Sequence, residues 1–207
     1  MRTMTRIEPR VFPNLRRPMA LSPFALAELE RRYRIVVGKA NEVLRLRATA
    51  DRGTAHPVFS ELRSIETALQ PLLASAKAHS LMLAQLGGDS RAPRPLLAEQ
   101  LARDFGGYDA FLAELGSCAL ASRGWVALVW DHDLARLRCV LGDEPERLSA
   151  WNDEPVLVFE VVDSTGSHEA GGDRRRLFAT LLDSVDWDVA EDRLERAFRA
   201  HAVDRGS

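Results

Sequence analysis

No stretch of this sequence reaches the roughly 18 consecutive apolar residues that a membrane-spanning helix needs. A helical membrane protein is therefore not expected. The N-terminus lacks the positive-then-apolar pattern of a secretory leader. Cysteine is scarce: Cys118 and Cys139 are the only two, each in an apolar setting. That scarcity points to a reducing compartment and two buried thiols, with a disulfide between them left open. No cysteine pair has zinc spacing, and no glycine-rich loop is built to cradle phosphate. Gly116-Ser117-Cys118 and Thr165-Gly166-Ser167 lack the partner glycines of a nucleophile elbow. Gly171-Gly172-Asp173 reads as a loop rather than a cofactor box.

What is present suits a globular protein of one or two domains: 207 residues, 46% hydrophobic and 28% charged. The net charge of −2 hides an asymmetry. Residues 1–50 hold eleven basic and four acidic residues, whereas residues 143–207 hold eight and sixteen. The two ends either neutralise each other, within the fold or across a dimer, or the basic end meets an acidic protein or RNA. Residues 1–21 read as a basic extended arm lying on the body or on a partner, with Arg2, Arg6, Arg10, Arg16 and Arg17 as candidate binding residues. Pro9, Pro13 and Pro18 argue against an amphipathic transit helix, so the expected location is cytoplasmic. An organelle matrix follows if the arm is a transit segment.

Ser22-Pro23 reads as a helix start. The helix runs to about Leu46 on the apolar stripe Leu26, Leu29, Tyr33, Val36, Ala40, Val43 and Leu44, with Arg31, Arg32 and Arg34 on the other face. A second helix spans Phe59 to about Leu86, kinked or divided at Pro71 and ended by Gly87-Gly88. His79 lies on its apolar stripe, where a lone histidine is more often a core residue than a ligand. A Pro-containing linker near residues 89–95 separates an N-terminal α-hairpin domain (22–90) from a C-terminal α+β domain (91–207). Two short helices (96–105, 108–122) precede a hairpin around Asp131-His132-Asp133. A third strand, Val156 to Val162, makes a three-stranded antiparallel sheet. Helices 174–185 and 189–202 close the chain. The fold class is α+β. Glu160, inside the third strand, is costly there unless paired, hydrogen-bonded or metal-bound.

This order and several local segments resemble the iron/manganese superoxide dismutase family. ARDFGGYDAF (102–111) is similar to its acidic-Phe-Gly segment, and RGWVALV (123–129) to its Gly-x-Gly-Trp strand. PVLVFEVVDS (155–164) is similar to the strand ending in Asp-x-Trp-Glu-His, and VDWDVAEDRL (185–194) to the closing Asn-Trp-x-x-x-x-x-Arg segment. VVGKANEVL (36–44) and KAHSLMLAQL (77–86) stand where the family places its two histidine-bearing helical segments.

The resemblance implies a fold of this kind and a metal held by three His and one Asp. Carried over by position, the four ligand places fall on Val36, His79, Glu160 and Ser164. Val36 and Ser164 are lost ligand positions, and His79 and Glu160 are remnants. The family's active-site Tyr falls on Leu44 and the ligand-strand Trp on Val162, while Trp125 is retained. One imidazole and one carboxylate make a weak transition-metal site. His168, in the loop after the strand, is a possible substitute ligand, with Asp163 just past the strand and His132 in the hairpin turn also considered, whereas His56 and His201 look incidental. The expectation is a degenerate site with no cofactor, or iron or manganese if the site is rescued, and His79 paired with Glu160. Three functions follow: a non-catalytic homodimeric scaffold, a ribosome- or RNA-associated subunit using the basic arm, or an active dismutase with atypical ligands.

Overall fold

The structure, a computed structural model, describes residues 6–88, 92–148, 150–162 and 173–205. Helix α1 (Pro23–Thr49) begins where its cap dictates, with the Ser22 hydroxyl accepting from Ala25 N–H. Helix α2 (Glu61–Ala84) is capped in the same way by Ser60. It packs against α1, joined to it by the connection 50–60. Pro71 lies inside α2 and does not divide it. A proline removes one backbone N–H bond, and the burial of Ile65 and Leu69 before it and of Ala76 to Leu83 after it holds the helix together.

Helices α3 (Pro95–Phe105) and α4 (Tyr108–Ala121) turn at Gly106, whose φ of 90° favours glycine. The first backbone N–H groups of α3 are satisfied from a distance. Glu191, buried at 4% exposure, accepts from Leu96 N–H at 3.3 Å and Leu97 N–H at 2.9 Å.

The sheet follows. Strands β1 (Trp125–Asp131), β2 (Arg136–Gly142) and β3 (Asp153–Glu160) are antiparallel in the order β2-β1-β3. Every residue of β1 is buried, as befits a central strand. The third strand begins three residues and ends two residues before the expected 156–162. Its partner β1 starts at Trp125, which pairs with Glu160, so no strand remains beyond that point to pair with. Helices α5 (Arg174–Asp183) and α6 (Trp187–Arg205) close the chain. α6 starts two residues before the expected Val189 because the Asp186 carboxylate accepts from Asp188 N–H at 3.1 Å.

Strand β3 is an edge strand, and its outer edge is covered by side chains rather than by another strand. Gln85, fully buried, donates to Val158 C=O at 2.6 Å and accepts from Val158 N–H at 3.1 Å. Arg193 donates to Gln85 Oε1 at 2.9 Å, Val156 C=O at 3.0 Å and Leu81 C=O at 2.7 Å. Burial pushes the Arg193 guanidinium below its ordinary range, to about 10, with Arg196 and Arg10 adding to the effect. This lock ties the C-terminal end of α2 to the middle of β3 and fixes how the two elements face each other.

The arm lies on the body. Ile7 and Asn41 exchange two hydrogen bonds at 2.8 and 2.9 Å, and Phe12 is buried against Tyr33. It is not extended throughout: Pro13–Arg16 forms a 3-10 turn, and the Asn14 amide donates to Leu83 and Leu86 C=O.

Candidate functional site

The α2–β3 lock places His79, on the buried face near the C-terminal end of α2, beside the last residue of β3. Met82, one turn on, accepts from Glu160 N–H through its sulfur at 3.3 Å. His79 Nε2 stands 3.5 Å from Glu160 Oε2, with the side chains 5% and 9% exposed. Trp125 closes one side, its ring edge-on to the imidazole at 5.0 Å.

The hydrogen bonds of His79 define its chemistry. Nδ1 lies 2.8 Å from Ser75 C=O, which can only accept, so Nδ1 carries the hydrogen. In a neutral ring Nε2 then offers a lone pair toward an acceptor-only carboxylate oxygen. Neither His79 Nε2 nor Glu160 Oε2 has a hydrogen-bond partner among the described residues. Two facing acceptors in a buried place are unfavourable unless a positive charge lies near them.

A cation is already close by. Arg32 on α1 places Nη1 3.2 Å from Glu160 Oε1. Its Nε reaches Glu28 at 3.4 Å, and Glu28 is also gripped by Arg31 at 2.6 Å. Hydrogen bonding from Arg31, reinforced by Arg32, holds the Glu28 carboxyl down at about 2. Arg32 is therefore not part of a solvated face, as its helical position suggested. Its long side chain lies along α1 and ends at β3.

Val36, one helical turn after Arg32, is partly buried and packs on the core, while Val37 beside it is fully buried. The buried line of α1 is Ala25, Leu29, Tyr33, Val37 and Ala40, which keeps Leu29, Tyr33 and Ala40 of the expected stripe, while Leu26 and Val36 flank it, partly buried against the core. Leu44 is partly buried. Ser164 and His168 lie outside the described residues, as does Arg2. Among the described residues no group of three or more His, Cys, Asp or Glu is gathered to hold a metal ion.

Among the described residues, the donors that face one another here are one imidazole and one carboxylate, the latter already engaged by a guanidinium, too few by themselves for a redox metal. Surface grooves of about 580, 450 and 570 Å³ lie elsewhere.

Of the other candidates, Arg6 pairs with Glu8 at 3.1 Å, and Arg10 donates to Ser80 at 3.3 Å. Arg16 and Arg17 are exposed. His132 and His201 come together at the hairpin, Nδ1 to Nδ1 at 3.4 Å, with Glu154 at 3.6 Å from the far nitrogen of His132. His56 accepts from Val58 N–H in an exposed turn. The two cysteines are free and half-buried, with burial raising both thiols. Among the described residues no helix is long and apolar enough to cross a membrane.

Residues 93–193 match the family model of iron/manganese superoxide dismutases, C-terminal domain. The manganese superoxide dismutase 2 of Haloferax volcanii is 35% identical over 111 residues, which is 54% of this chain and 55% of the relative. A manganese superoxide dismutase of Halobacterium salinarum is 34% identical over the same length, 54% of each chain. The chain thus spans about half the length of these halophile relatives. The iron superoxide dismutase of Aquifex aeolicus is 27% identical over 176 residues, 83% of both chains.

Proposed function

Because the chain belongs to the iron/manganese superoxide dismutase family, we propose that it is a member that has kept the fold and given up the metal, acting as a non-catalytic homodimeric scaffold. The observation that carries this reading is the guanidinium of Arg32 at 3.2 Å from Glu160, the carboxylate at the family's Asp position. Dismutation needs a metal cycling between two oxidation states, and a site with one free imidazole has too few donors to hold one. With Val36 and Leu44 replacing a ligand and the active-site Tyr, that corner supplies neither metal nor proton.

A second reading, an active dismutase with atypical ligands, draws on the facing pair of acceptors at 3.5 Å, a geometry that also suits a cation. The RNA-associated reading rests on the arm's charge alone. Dismutase assay of protein reconstituted with iron or manganese separates the first two, alongside sedimentation. The scaffold reading expects a dimer without activity above the metal salts. Activity that disappears in His79→Ala would overturn it.

A further inference from the structure

The loss of two ligands explains why a metal would bind weakly, but not why the remaining buried carboxylate persists. Glu160 still needs a positive partner, because an unpaired carboxylate with a 9% exposed side chain is strongly disfavoured. Accepting the reading above, we propose that Arg32 is a built-in substitute for the metal's charge: it neutralises Glu160 from within the chain and thereby excludes divalent cations.

Three features support this. Arg32 Nη1 contacts the carboxylate directly, at 3.2 Å. A guanidinium keeps its charge at any ordinary pH and sheds water more readily than an ammonium, which suits a semi-buried place 20% exposed. Its reach is also fixed from behind. Glu28, one helical turn earlier, accepts from Arg32 Nε at 3.4 Å and is itself held by Arg31. The ladder Glu28–Arg32–Glu160 thus runs along α1 to the strand end. A dication at Glu160 and His79 would lie a few ångströms from this guanidinium, and like charges at that spacing in a partly desolvated setting repel strongly. Removing Arg32 should uncover the two remaining donors, whose lone pairs already face each other.

The test is calorimetric titration of the full chain with Zn²⁺ and, separately, Mn²⁺, with dichroism as the folding control. Wild type is expected to show no His79-dependent site. Arg32→Met is expected to bind one Zn²⁺ at least tenfold more tightly than wild type. The gain should disappear in Arg32→Met/His79→Ala, which sets aside surface histidines such as His132 and His201. Arg32→Lys keeps the charge and should exclude metal as wild type does. Should Arg32→Met not fold, Glu28→Ala loosens the guanidinium without touching the pair and should raise Zn²⁺ affinity at least threefold. A folded Arg32→Met with no gain, an Arg32→Lys that gains as much as Arg32→Met, or an unchanged Glu28→Ala when Arg32→Met does not fold would each overturn the proposal while leaving the loss of metal intact. His79-dependent metal binding by wild type would overturn both.

Discussion

Single side chains carry most of what distinguishes this chain. Gln85 is fully buried and satisfies both backbone groups of Val158. Gln85→Leu leaves them unpaired and should cost about 3 kcal/mol in urea denaturation, since each buried unsatisfied group costs about 1–3 kcal/mol. His79 should carry its hydrogen on Nδ1, readable from the ring nitrogen shifts in NMR. A neutral ring with the hydrogen on Nε2 would contradict the bond to Ser75 C=O. At this scale the sequence was only partly legible. His79 and Glu160 stood out because a histidine on an apolar stripe and an acid in a β-run violate local pattern. Arg32 did not, because a helical wheel places an arginine by its Cα, and this one acts at the far end of a long side chain. Gln85 went unflagged, and Arg193 entered only as the arginine of the closing segment, since their partners are backbone groups 73 and 37 residues away.

Elements were more legible, because their signals are local. Ser22, Ser60 and the fully buried β1 run fix their elements through capping and burial. Boundaries moved where tertiary pairing decides, as in β3, whose end is set by where β1 begins. The hairpin offers a pH test. Burial works to raise the Asp131 carboxyl, but hydrogen bonds from Leu134 N–H and Asp133 N–H and the charge of Arg138 outweigh it, so it lies below its ordinary 3.8. A depressed folded-state value means the stabilisation is complete above the ordinary value and is lost as pH falls through the folded one. Wild type should therefore lose stability in acid more steeply than Asp131→Asn, whose unfolding midpoint should be lower at neutral pH and flatter below pH 4. The arm is testable too. Phe12→Ala should cost about 3 kcal/mol if the arm unfolds with the body; a near-zero cost would mean that the arm detaches separately.

At the scale of the whole molecule, one apolar cluster runs from Phe12 on the arm through the sheet to Ala197 on α6. On the proposed reading this core holds together without a metal, and Glu160 is neutralised by Arg32 instead. The thermal midpoint should therefore be unmoved by chelator. Elemental mass spectrometry on protein purified without added metal decides whether the site is empty. Iron and manganese well below one per ten chains is the predicted result. Near-stoichiometric iron or manganese, lost in His79→Ala, would show that Arg32 shares the site with a metal rather than replacing it.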